Sequence, residues 1–152
     1  MKIVVFSDSH RAKGSMLDVV LLEAPETILH LGDHDKDADA VSLAYPNIPV
    51  RRVRGNCDFA SSSSEVDKFM LAGKRFFITH GHLFSVKSTL NSITKAASEN
   101  DADILLFGHT HIPYSAKLDN LIIINPGAIG SGHSYAVLEI KNGAVDYELK
   151  TI

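Results

Sequence analysis

The sequence predicts a mixed α/β domain rich in sheet, and three observations carry that prediction. Short apolar, β-branched runs alternate with helical patterns over the first sixty residues. The last third contains paired strand-like runs separated by turn residues. Five apolar runs end in Asp, Asn or His next to glycine or serine. Alternation of strand and helix argues for parallel strands joined by right-handed crossovers. Polar residues at strand ends mark where such sheets carry their sites.

KIVVFSDSH opens the chain with a run that is apolar on both faces, as in a buried strand. GSMLDVVLLEAP follows with Leu17, Val20 and Leu21 at helical spacing, Ser15 as the expected N-cap and Pro25 as the stop. TILHLGD reads as the second buried strand, and DKDADAVSLAYP as a short helix with acidic residues in its first turn. VRRVRGNCD reads as a third strand, and Ser61 to Ser64 as a loop. EVDKFMLAGKRFFITHGH divides into two strands around Ala72-Gly73. STLNSITKAASEN places Leu90, Ile93 and Ala97 on one helical stripe, and ADILLFGHTH is another buried strand. AKLDNLIIINPG and AVLEIKNGAVDYEL read as hairpins, with Asn142-Gly143 the stronger turn because both residues tolerate positive φ. The expected result is one domain over 1–152 with two sheets packed together.

Composition narrows the function. The chain has 152 residues, 45% hydrophobic and 22% charged, with a formal charge of −3. That charge argues against a nucleic-acid-binding module, leaving nucleic acid only as a possible substrate. No apolar run reaches membrane-spanning length, and the N-terminus turns polar too early for a signal peptide. The expectation is a cytoplasmic protein with no membrane association. One cysteine, Cys57, excludes an internal disulfide and a Cys-rich zinc knuckle.

The strand ends deliver Asp8-Ser9-His10, Gly32-Asp33, Gly55-Asn56-Cys57-Asp58, His80-Gly81-His82 and Gly108-His109-Thr110-His111. Each is ordinary alone, since Asp after glycine is usually a turn residue. Together they point to one shared site. If the chain stays extended through His109 and His111, both imidazoles project to the same side. Carboxylate, amide and imidazole donors suit Mn, Fe or Zn. Asp8, His10, Asp33, Asn56, His80, His109 and His111 are seven candidates, too many for one ion. Two ions sharing a carboxylate are a known device of phosphoryl chemistry.

The ordered set D-x-H, G-D, G-N-x-D, H-G-H and G-H-T-H resembles the calcineurin-like metallophosphoesterase superfamily. Its length and the Cys of GNCD are most similar to the small bacterial and archaeal phosphodiesterases of that group, and Asn125-Pro126-Gly127 fits the turn that follows the motifs there. The resemblance implies a four-layer αββα sandwich, two mixed β-sheets flanked by helices, with the metals at the C-terminal ends of strands. It implies that Asp8, His10 and His111 hold one ion, that Asn56, His80 and His109 hold the other, and that Asp33 bridges them. It further implies that a hydroxide bridging the ions attacks phosphorus in line, with Asn56 and the ions stabilising the phosphoryl oxygens. Manganese is the metal the resemblance favours, with zinc, iron and nickel as alternatives, and the resemblance makes a homodimer or homotetramer one assembly open to the chain.

Cys57 departs from the pattern, since many phosphatases of the superfamily have His there, paired with the Asp equivalent to Asp58. A thiol suits leaving-group protonation poorly, so the expected substrate is a small-molecule phosphodiester. The bland alternative makes Cys57 a small buried filler. His82 is placed to touch the substrate phosphate or to orient His80, and His34 to line the pocket. Asp35, Asp37 and Asp39 lack the Gly and Glu of a calcium loop and read as a solvated, helix-starting face. Arg51, Arg52 and Arg54 read as a solvated strand, His30 as a core histidine, and Ser131 as a loop residue outside any nucleophile elbow. His133 either approaches the site from the last loop or is exposed. A second function fits the same fold: a metal-binding scaffold without catalysis, as in a retromer subunit that resembles these enzymes. The complete set of ligand-type residues favours the enzyme.

Overall fold

A computed structural model describes residues 1–152. In chain order the elements are β1 (Lys2–Phe6), α1 (Lys13–Glu23), β2 (Thr27–His30), α2 (Ala38–Ala44), β3 (Val50–Arg52), β4 (Val66–Leu71), β5 (Lys74–Thr79), α3 (Asn91–Glu99), β6 (Ile104–Leu106), β7 (Tyr114–Leu118), β8 (Leu121–Asn125), β9 (Ser134–Lys141) and β10 (Ala144–Thr151). They form two five-stranded sheets, ordered β10-β9-β1-β2-β3 and β4-β5-β6-β8-β7. Each sheet has three parallel strands, β1-β2-β3 in one and β5-β6-β8 in the other, extended by antiparallel partners. No helix is long and apolar enough to cross a membrane.

The pleat explains the layers. Ile3 and Val5 face the second sheet, in a cluster with Leu29, Leu138, Phe76, Ile78, Ile104 and Ile124. Val4 and Phe6, on the other face of β1, pack against Met16, Val19 and Val20 of α1 and Val41 of α2. Phe77 and Leu105 turn outward in the second sheet and meet Ile93 and Ala97 of α3. Both faces of each sheet are therefore covered, which is why these strands are apolar without alternation. The two-sheet sandwich flanked by helices matches the expected fold class.

Several local expectations need correction. α1 begins at Lys13 with Ala12 in the N-cap position, so Ser15 lies inside the first turn and caps nothing. Its buried stripe is Met16, Val19, Val20 and Glu23, leaving Leu21 73% exposed. The segment MLDVVLL is apolar nearly all round, so two registers share Val20 and only packing chooses between them. The segment expected as one acidic-led helix is a 3₁₀ turn, Asp35–Asp37, followed by α2. Asp35 and Asp37 are buried rather than solvated, because they accept from hydroxyls of neighbouring loops. Asp39 is exposed and pairs with Arg52, while Arg51 pairs with Asp67 and Arg54 with Glu65. The Ala72-Gly73 and Asn142-Gly143 turns take positive φ at both residues, as a type I′ turn requires.

Candidate metal centre

The strands stop before the candidate ligands, and the backbone then bends sharply. β6 ends at Leu106, yet His109 and His111 lie beyond it with φ of 68° and 62°. The extended backbone expected there is absent. Asp8, His10 and Asp33 also have positive φ, at 52°, 42° and 55°. Five of the seven candidates are thus left-handed, a conformation uncommon in residues other than glycine but tolerated best by Asp, Asn and His. Such turns aim side chains inward from several strand ends, where a continuing pleat would carry them away. Close backbone approach makes room for them: a Cβ on Gly55 would lie 2.2 Å from Asp33 Oδ1, and one on Gly108 1.9 Å from Ser7 Oγ.

The acids are held by one oxygen and free at the other. Asp8 Oδ2 accepts from Ser7 Oγ at 2.5 Å and from the His109 amide at 3.1 Å. Asp8 Oδ1 is buried without a hydrogen-bond partner. It lies 2.9 Å from His111 Nε2, outside hydrogen-bond alignment, and 3.9 Å from His80 Nε2. Asp33 Oδ1 accepts from the Cys57 amide at 2.8 Å, and Oδ2 lies 3.5 Å from His80 Nε2. His80 is fully buried, and its Nδ1 pairs with the Leu31 carbonyl at 2.8 Å. That bond puts the proton on Nδ1 in the neutral ring and leaves the buried, partnerless Nε2 as a lone pair.

Donor atoms lying within 4.8 Å of one another form two triads, Asp8-His10-His111 and Asp8-Asp33-His80. Orphaned buried donors, with their second atoms fixed by the protein, fit divalent ions that take oxygen and nitrogen ligands. Asp8 is the carboxylate common to both triads, where Asp33 was the expected link. His109 stands beside them, its ring 5.0 Å from that of His80. Asn56 is exposed, and its amide nitrogen turns to Cys57 Sγ at 3.5 Å.

Electrostatics follow the same layout. Burial works to raise the Asp33 pKa, but the contact with His80 and the Cys57 N–H hold it well below the usual carboxylate range. Burial opposes charge on His80, while Asp33 and Asp8 outweigh it and raise its pKa. His109 is pushed down to about 4 by burial, then by His80 and Lys87. Cys57, although its side chain is exposed, is pushed up to about 11 by partial desolvation of the thiol and by Asp33.

The remaining candidates divide. Cys57 is exposed, so the buried-filler reading is wrong. Asp58 is buried and accepts from the amides of His34, Asp35 and Gly55 at 2.8, 3.1 and 2.8 Å, so its carboxylate braces the loop. His82 is partly exposed, with its ring 5.5 Å from His80 and 6.2 Å from His109. The His34 ring lies 4.9 Å from that of His10, tilted by 60°, whereas His133 is exposed. His30 is the core histidine expected, its Nδ1 accepting from the Gly32 amide and its Nε2 meeting Ser9 Oγ. Two contributors escaped the sequence reading. Ser7 fixes Asp8, and Asn125 Nδ2 donates to the Gly108 carbonyl and to Thr110 Oγ1, pinning the loop that carries both histidines. The Asn-Pro-Gly turn was the available signal for Asn125; nothing marked Ser7.

Comparison with known proteins agrees with this geometry. Residues 1–143 match the calcineurin-like phosphoesterase superfamily domain. The probable metallophosphoesterase YsnB of Bacillus subtilis is 32% identical over 151 residues, covering 95% of this chain and 87% of that protein. The phosphodiesterase YfcE of Escherichia coli K12 is 32% identical over 108 residues, covering 59% of this chain and 52% of its own length. A crystal structure of a predicted phosphoesterase from Streptococcus pneumoniae superposes with a TM-score of 0.84 at 27% identity, over 99% of this chain and 88% of that one. A Vps29 structure from Entamoeba histolytica shares the fold, with a TM-score of 0.78 at 20% identity over 100% of this chain and 99% of that one. With a family match spanning nearly its whole length and donors converging at its strand ends, this chain belongs to the calcineurin-like phosphoesterase superfamily.

Proposed function

We propose that the chain is a phosphodiesterase that works with two divalent ions, manganese first among them and zinc, iron or nickel as alternatives. The observation that carries the reading is the pair of buried, partnerless atoms, Asp8 Oδ1 and His80 Nε2, facing each other across 3.9 Å. Leaving such groups unsatisfied is destabilising by about 1–3 kcal/mol each, which a ligand at that point relieves. Asp8, His10 and His111 would hold one ion. Asn56, His80 and His109 would hold the other, and Asp33 would be shared, with Asp8, the carboxylate common to both donor clusters, beside it. Two such ions would supply an acidified water as nucleophile and positive charge for the phosphoryl oxygens.

The chain's own groups set the preference among esters. Cys57 lies beside Asp33, whose Oδ1 accepts from its amide, and a thiol is a poorer proton donor to a leaving alkoxide than the imidazolium it replaces. Asp58 is engaged with three backbone amides and braces the loop rather than facing a leaving group. No strong acid therefore stands at the GNCD loop to protonate an alkoxide. Diesters with good leaving groups are the substrates this arrangement favours, with Asn56 and His82 contacting the phosphate. The test is hydrolysis of bis-p-nitrophenyl phosphate against p-nitrophenyl phosphate after metal removal and reconstitution. Metal-dependent turnover, faster on the diester and shifted toward the monoester in Cys57→His, is expected. An unchanged diester-to-monoester ratio in that variant contradicts the role given to Cys57.

A second reading, a metal-binding scaffold without catalysis, draws on exposed apolar side chains beside the site. Phe59 is 92% exposed and Leu83 54%. It predicts two bound ions and no turnover with any of these metals.

A further inference from the structure

One cavity adjoins the proposed metal centre and differs from it in chemistry. It encloses about 320 Å³, and five of its seven lining residues are apolar: Val86, Leu90, Phe107, Ile112 and Tyr114. It is built on the same two turns that carry the imidazoles. Thr110, which also lines it, stands between His109 and His111, and Ile112 follows directly. On the other wall, a Cβ on Gly81 would meet Val86 Cγ2 at 2.9 Å and Phe107 Cδ2 at 3.6 Å, and Gly81 stands between His80 and His82. Lys87 is the cavity's single charge.

A phosphodiester is one anion carrying two ester arms. With the anion at the metals, each arm must lie along a flank of the site. The flank lined by Arg54, Asn56, Glu65 and His82 is polar. The other is this apolar cavity, with Lys87 on its lining. Its volume is at the low end for small-molecule sites, room for one ring system and too little for a lipid tail. The Phe107 and Tyr114 rings, 6.5 Å apart and tilted at 56°, offer a face and an edge to a planar group.

We propose that this cavity receives an aromatic ester arm of the substrate, so that the chain selects phosphodiesters bearing a planar ring on one side. The proposal rests on the phosphodiesterase reading, and its test separates the two. Methyl phenyl phosphate and dimethyl phosphate have the same charge and differ by one ring. Isothermal titration of each into the manganese-loaded full chain is expected to show methyl phenyl phosphate binding about tenfold tighter, the effect of burying part of a phenyl ring. Leu90→Asn and Tyr114→Ser are expected to remove that difference and leave the affinity for dimethyl phosphate unchanged. Leu90 occupies the N-cap position of α3, which asparagine suits well, so the first variant keeps the fold.

Turnover of bis-p-nitrophenyl phosphate is measured on the same samples. Equal affinities for the two diesters, or a preference that survives both variants, overturn the cavity assignment even where turnover is present. A tenfold preference lost in the variants, without turnover, sustains the cavity as a binding site for aromatic diesters and overturns the phosphodiesterase reading.

Discussion

Two buried polar clusters touch the first sheet, and they are built on opposite rules. Glu23, at the end of α1, has every oxygen occupied. Oε1 accepts from Tyr135 Oη at 2.9 Å and Lys150 Nζ at 2.7 Å, and Oε2 accepts from Lys2 Nζ at 3.1 Å. The cluster ties α1 to β1, β9 and β10 and holds the carboxylate charged. At the strand ends, Asp8 and His80 are equally buried, yet each keeps one atom without a partner. A buried polar group left open is destabilising, and one fully paired holds the structure together. The first cluster serves the fold and the second is kept for a ligand.

Mutations should separate the two. Asp33→Asn is expected to lower diester turnover about 10³-fold or more, because it removes the carboxylate proposed to hold both ions, and with them the positive charge at the phosphoryl oxygens. It should lower the melting temperature of the metal-free protein far less than it lowers turnover, since the carboxylate it removes is paired only with His80 and the Cys57 amide. Equal loss of stability and activity in thermal melts and assays would erase the distinction. Glu23→Ala should do the reverse. It strands two lysines that are each about one third exposed, and should destabilise by about 3 kcal/mol in urea unfolding. Turnover per folded molecule should not change.

Asn125→Ala sharpens the comparison at smaller scale. It frees the Gly108 carbonyl and Thr110, loosening the loop without touching a proposed ligand. Metal affinity is expected to fall about 10–100-fold, as for other groups that orient ligands. Unchanged affinity in a competition titration would place the organising role elsewhere.

The smallest effect is in pH. Burial tends to raise the Glu23 pKa, but Lys150, Lys2 and Tyr135 bring it below the ordinary 4.5. In the unfolded chain the carboxyl binds a proton more readily, so stability rises with pH across that window. The Glu23 contribution is full above pH about 4.5 and is lost as pH falls through the folded value. Urea midpoints of the wild type should drop more steeply than those of Glu23→Gln below that point. Parallel curves would show that Glu23 is not held charged.

Much of this organisation was legible in the residues. The apolar runs KIVVF, TILH and DILL marked central strands, because strands covered on both faces need no alternation. Asn142-Gly143 marked its turn because few other pairs tolerate positive φ twice. Ligand types were legible because chemistry restricts them. Geometry was not. The left-handed turns at Asp8, Asp33, His109 and His111 are imposed by packing between loops distant in sequence, such as Gly108 against Ser7. The burial of Asp35 and Asp37 depends on Ser61, Ser63 and Ser9 arriving from elsewhere, which no local pattern records. Leu21 was misplaced for the same reason: a helix apolar on all sides takes its register from its neighbours.

The most direct test of the central claim is a count of ions. Equilibrium dialysis of the apo chain against manganese, followed by bis-p-nitrophenyl phosphate turnover at each occupancy, measures it. The account predicts two ions per wild-type chain, activity that depends on them, and loss of both ions in Asp33→Asn but of one in Asn56→Ala. A single ion at saturation, or turnover indifferent to metal, would contradict it.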